Sequence, residues 1–144
     1  MKTKQQTDKL YQVIGIGIVI VALLIFFRSN SVNALPAGSN FVTLQWTSPG
    51  DDSLTGTASQ YDIRYSTSPI TEVTRSTATQ CIGEPAPKVA GSAETFTVIN
   101  LTPNTVYYFA IKTADEVPNW SDLSNVAMIA TLDTAKPAKV SDLR

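Results

Sequence analysis

The residues able to do chemistry are few, and their types do not combine into a catalytic set. The chain has no histidine, which removes the commonest general base and the commonest zinc ligand together. Serines are plentiful, but without histidine none has a familiar base, and Ser/Lys chemistry has no motif behind it. Cys81 is the single cysteine, so no intramolecular disulfide forms. A small, partly buried side chain is the favoured reading of it over a thiol that pairs with another chain. Gly15 and Gly17 lie inside an apolar run and not in a phosphate-binding loop. No catalytic, cofactor-binding or metal-ligating residue is assigned, and no cofactor is expected.

Two acidic clusters remain. Asp51-Asp52 follows Pro49-Gly50 in a turn-rich stretch; calcium needs about six to eight oxygens, and adjacent side chains seldom converge. A solvated turn is the favoured reading. In Asp115-Glu116-Val117-Pro118-Asn119-Trp120, the candidate ligand contacts are Trp120, Asp115 and Glu116. Trp120 would either stack on a sugar or partner protein or plug the end of the domain. Asp115 and Glu116 read most simply as a charged loop face.

What must position these residues is one ordinary domain, since 144 residues leave room for little else. The apolar fraction of 43% and charged fraction of 16% are those of a folded protein. The formal charge of −1 hides an asymmetry. Four of the eleven Lys and Arg lie in the first 34 residues, against one of the twelve Asp and Glu, which leaves seven against eleven beyond Ala34. An acidic body offers no footprint for nucleic acid, which needs a clustered basic face.

Residues 13–27, VIGIGIVIVALLIFF, are all aliphatic, aromatic or glycine, with Lys2, Lys4 and Lys9 ahead of them. A polar stretch then leads to Val32-Asn33-Ala34. A basic leader, an apolar centre and small residues at the exit are the parts of a secretory signal, with cleavage expected after Ala34. The run is short for a spanning helix, which takes roughly 20 residues. A retained anchor is the alternative, because extension to Leu10 adds length with one interruption at Gln12, enough for a thin bilayer. On either reading the lysines stay on the cytoplasmic side and the body crosses. No cysteine directly follows the run, which excludes a lipoprotein.

After the leader the period changes to two. Residues 41–47 place Val42, Leu44 and Trp46 on one face, and residues 60–66 do the same with Tyr61, Ile63 and Tyr65. Further strands are expected at 94–99, with Phe96 and Val98 inward, and at 106–114, with Tyr107, Phe109 and Ile111 on one face. A last one at 124–131 offers Val126 and Met128 for its inner side. Residues 70–74 read as a short edge strand in an otherwise irregular stretch. Short strands separated by turns, with no helical period, indicate an antiparallel sandwich or barrel.

Leu101-Thr102-Pro103-Asn104-Thr105-Val106-Tyr107 is the most specific pattern in the chain. It resembles the corner before the sixth strand of fibronectin type III domains, a bacterial-type extracellular module in this case. The resemblance implies that the Tyr107 ring packs in the core and its hydroxyl bonds to upstream backbone. Val42-Thr43-Leu44-Gln45-Trp46 looks like the family's second strand, Tyr61-Asp62-Ile63-Arg64-Tyr65-Ser66 its third, and Trp120-Ser121-Asp122-Leu123-Ser124-Asn125 the approach to its seventh. The implied core comprises Trp46, Tyr61, Ile63, Leu101, Pro103, Tyr107, Phe109 and Ile111.

The expected architecture is therefore an all-β, immunoglobulin-like two-sheet antiparallel sandwich of that family, behind one N-terminal hydrophobic helix. Residues 1–34 form the signal peptide or membrane anchor, 35–132 the domain, and 133–144 a linker or the start of a following module. Pro137-Ala138-Lys139-Val140-Ser141-Asp142-Leu143 resembles the family's opening motif at the wrong end of the chain. The usual first strand has little room; with a retained anchor, residues 31–35 would supply a stub of it. The implied function is a non-catalytic extracytoplasmic spacer, adhesion or interaction unit, secreted or tethered to the outer face of the cytoplasmic membrane. The alternative is an accessory domain of a larger secreted or surface hydrolase. Implied partners are an extracellular protein or polysaccharide, neighbouring modules, and the membrane through residues 10–27 if the leader stays.

Overall fold

The computed structural model describes residues 32–35, 37–117, 119–142 and 144. The expected N-terminal helix and the membrane contact through residues 10–27 lie outside the described residues. Among those described, no helix is long and apolar enough to cross a membrane.

The described residues form seven strands, the longer ones from alternating residues that favour β-structure: β1 (Asn33–Ala34), β2 (Phe41–Thr47), β3 (Gln60–Ser66), β4 (Thr79–Gln80), β5 (Ala93–Ile99), β6 (Val106–Ala114) and β7 (Ala127–Ala130). They pair antiparallel in two sheets, β1-β2-β5 and β4-β3-β6-β7. The pleat sends Val42, Leu44 and Trp46 of β2 into the space between the sheets, against Tyr61 and Ile63 of β3 and Tyr107, Phe109 and Ile111 of β6. Val98 of β5 is buried among them, and Phe96 packs against this core half-buried. The Trp46 ring stands edge-on to Tyr61, with centroids 5.2 Å apart at 89°, an arrangement the ring quadrupoles favour.

The corner closes one pole. Thr102 N–H donates to the Tyr107 hydroxyl at 3.1 Å. Leu101 beneath it is buried, whereas Pro103 is exposed. Pro103 was expected in the core and is not there: it caps the outside of the turn, and its carbonyl accepts from Thr105 Oγ1 at 2.9 Å. Thr131 is buried and clasps the corner from across the sheet. Its Oγ1 donates to Thr102 O at 2.6 Å and accepts from Thr105 N–H at 3.0 Å.

Two strand expectations are corrected. The last strand is regular only from Ala127, and Ala127 and Ile129 face the core while Val126 and Met128 are exposed. The cause lies just upstream, where Ser121 Oγ and Ser124 Oγ accept the N–H groups of Thr113 and Ile111, both at 3.0 Å. Side chains replace ladder bonds there, and between the Ala114–Trp120 bridge and the Phe109–Ala127 pair the last segment carries two more residues than β6, as in a bulge. Small Ala127 then sits opposite Phe109. Residues 70–74 form a turn into a 3-10 helix (Arg75–Thr77), and the edge strand is β4. Thr71 and Thr74 satisfy each other's backbone N–H, at 2.8 and 3.1 Å, and that local pairing competes with a ladder.

Candidate functional site

The site lies at the pole opposite the corner. There β2 ends, β3 begins, β6 ends and β1 begins, so residues 48–59 and 115–126 come together. They enclose a groove of about 440 Å³ whose lining includes Val32, Trp46, Ile111, Asp51, Asp115 and Trp120. That volume falls within the roughly 300–1,000 Å³ of small-ligand pockets.

The first loop is shaped by close backbone approach. Asp51 N–H donates to Thr55 O at 2.8 Å and Gly50 N–H to Ser53 O at 3.0 Å. A Cβ on Gly50 would stand 2.0 Å from Thr55 O, so only glycine fits. This tight turn brings Asp51 alongside Glu116 of the second loop. Desolvation and the carboxylates of Glu116, Asp52 and Asp115 push the Asp51 carboxyl above its ordinary range. Its Oδ1 is shielded from solvent and has no hydrogen-bond partner among the described residues.

The second loop is stapled by Asp115. Its Oδ1 accepts the N–H groups of Asn119 and Val117 at 2.9 and 3.0 Å, and its Oδ2 accepts from Asn119 Nδ2 at 2.6 Å. These bonds hold its carboxyl below the usual range despite some desolvation. A bridge between Ala114 and Trp120 closes the loop. Trp120 stands on the rim, 44% exposed, with the Arg75 guanidinium 6.0 Å from its ring centroid. Arg75 is itself ion-paired to Asp62, which Arg64 grips from two sides at 2.8 and 3.1 Å. The indole is thus held against the body, and one of its faces is taken.

The expected ligand contacts Asp115, Glu116 and Trp120 come together here, joined by Asp51 from the first loop. The assigned core residues lie elsewhere: Tyr61, Ile63, Leu101, Tyr107 and Phe109 are buried between the sheets, while Trp46 and Ile111 also reach the groove floor. Sequence reasoning missed three contributors. Val32 is 3% exposed, and Asn125 clasps its backbone, accepting Val32 N–H at 2.6 Å and donating to Val32 O at 2.8 Å. Buried Ser48 donates to Lys88 O at 2.6 Å and shares a hydrogen bond with the Tyr61 hydroxyl at 3.0 Å. Glu94, also buried, accepts Lys88 N–H at 2.7 Å and is ion-paired to Lys88 Nζ at 3.2 Å. The free thiol of Cys81 is buried, and desolvation pushes it up to about 12. Among the described residues no group of three or more Cys, Asp or Glu is arranged to hold a metal ion.

Two antiparallel sheets of three and four strands, closed by a tyrosine corner and bearing loops at each end, define an immunoglobulin-like sandwich module. Residues 30–126 match the fibronectin type III domain family, and the chain belongs to it. Calcium-activated chloride channel regulator 1 of Homo sapiens is 34% identical over 99 residues, which are 65% of this chain and 11% of that protein. The chain thus spans about a tenth of the length of the curated relatives it matches. Among solved structures, the chicken CNTN1 FN1-FN3 domains align with a TM-score of 0.51 at 19% identity, over 71% of this chain and 31% of that one. Titin domains A168-A170 align at 0.50 and 19%, over 72% and 31%. At such identities the likeness is one of fold.

Proposed function

We propose that this chain is a non-catalytic extracytoplasmic module held at the membrane by its own apolar leader, working as a spacer and interaction unit. The observation that carries the reading is the place of Val32 and β1. Val32 is core, Asn125 clasps it, and Asn33 and Ala34 pair with Gln45 and Leu44. Cleavage after Ala34 would strip the groove of part of its floor and the first sheet of an edge strand. This supports a module that keeps residues 32–34 attached, and with them, on our reading, the run at 13–27 as an anchor. Family membership supports the outer compartment, since these modules are typically extracellular.

The absence of histidine from the sequence and the burial of the one thiol support a binding role over a catalytic one. The groove is the favoured contact for a protein or polysaccharide partner, through Trp120, Asp115 and Glu116 on a rigid frame. Membrane fractionation of the full chain with mass spectrometry of its N-terminus tests the tether. An intact leader in a wash-resistant membrane fraction is expected. A mature start at Leu35 in the soluble fraction overturns it.

A further inference from the structure

Val32 is at once the first core residue and a wall of the groove, and only residues 28–31 separate it from the apolar run. Four extended residues reach at most about 14 Å. The chain therefore joins the sandwich at the groove pole, whereas β7 ends at the corner pole, where Leu132 N–H donates to Gly38 O at 3.0 Å and Asn104 N–H to Leu132 O at 3.2 Å. The loop tips at the groove pole carry apolar side chains turned outward: Leu54 is 63% and Val117 66% exposed, beside half-exposed Trp120. Aliphatic tips and a tryptophan are residues that suit a membrane–water interface.

The geometry points to the groove pole as a membrane-facing surface, with Leu54, Val117 and Trp120 resting against the headgroup layer of the bilayer that holds the leader. This rests on the tether proposed above. It orients the module with its C-terminal end outward, so a following module would extend away from the membrane. The acids that share this pole, Asp51, Asp52, Asp115 and Glu116, make the contact weaker on anionic lipid. A ligand of the groove would accordingly have to approach along the bilayer surface.

The test uses the full chain in phosphatidylethanolamine vesicles doped with a lipid carrying a nitroxide on its headgroup. Fluorophores are placed by Leu54→Cys, Val117→Cys or Thr102→Cys, and the parent chain reports any labelling of buried Cys81. Seven-residue strands at about 3.4 Å per residue set Thr102 roughly 24 Å further from the groove pole. Co-flotation with vesicles reads the tether, and quenching reads the orientation. Flotation with quenching at positions 54 and 117 well above that at 102, reduced when phosphatidylglycerol is added, is the expected result. Flotation with equal quenching at all three positions, or with quenching greatest at 102, overturns the orientation and leaves the tether standing. Loss of flotation overturns both.

Discussion

The two poles of the sandwich are ends of the same strands, yet they differ in what they leave open. At the corner pole two main-chain bonds, Leu101 N–H to Asn40 O at 2.9 Å and Leu132 N–H to Gly38 O at 3.0 Å, are joined by the Tyr107 hydroxyl and Thr131 Oγ1, which hold residues 102 and 105. At the groove pole main-chain bonds such as Asp51 N–H to Thr55 O are likewise joined by side chains, namely Asp115 on residues 117 and 119, Asn125 on Val32, and Ser48 on Lys88. The first pole leaves little to exchange. The second keeps a cavity, an orphaned carboxylate oxygen and a half-exposed indole. Space and exposed contact groups are concentrated at the pole where β1 begins.

The largest expected loss joins the poles to the core between them. Trp46→Ala empties a 5% exposed site that supports both Tyr61 and the groove floor, and should cost about 3–5 kcal/mol by urea denaturation. Unfolding at the parent midpoint would show that the groove floor is not continuous with the core. Tyr107→Phe comes next, at about 1–3 kcal/mol, because the Thr102 N–H loses its acceptor. The groove should keep its shape, so quenching of Trp120 fluorescence by iodide is expected to stay at the parent value. A large rise in that quenching would mean the poles are coupled. Asn125→Ala removes two hydrogen bonds to Val32 at a part-exposed position, for about 1–2 kcal/mol. Here the effect should appear at the groove, as faster amide exchange in β1 than at the corner. Uniform exchange would erase the distinction between the two closures.

The same contrast explains what was legible in the sequence. The corner is local: Leu101 to Tyr107 lie within one turn and a strand start, so their spacing carries the geometry. The bounds of β2, β3 and β6 follow from alternation over seven to nine residues. The groove draws on residues 32, 46, 51, 111 and 120, brought together only by sheet pairing, and no spacing encodes it. Thr131 and Ser48 are buried polar residues whose types read as surface. In the last strand the face was set by two serine hydroxyls upstream and a small alanine opposite Phe109. Hydrophobicity did not separate the two faces, since Val126 and Met128 are about as apolar together as Ala127 and Ile129, yet the first pair faces solvent.

The smallest expected effect is the one that most directly separates the poles, because it has a sign. Asp51 is raised by desolvation and its acidic neighbours, so its ionised form is disfavoured in the fold. That penalty is complete above the folded pKa, falls away as pH drops through it, and is gone below the unfolded value of about 3.8. Asp62 behaves oppositely: desolvation opposes its charge, but Arg64 and Arg75 outweigh it and hold the carboxyl low. Its contribution is intact above about 3.8 and is lost as pH falls through the lower folded value. The thermal midpoint of the parent should therefore rise slightly on mild acidification and then drop. Asp51→Asn should raise the midpoint at neutral pH and shrink the mild-acid rise, leaving a remnant from Glu84, whose burial also raises it. The acid drop should remain, because it belongs to the carboxyls held low, the arginine-paired Asp62 and the loop-bonded Asp115 among them. A lower midpoint for Asp51→Asn at neutral pH would mean that the Asp51 carboxylate has a favourable partner, and the groove pole would then be as fully satisfied as the corner.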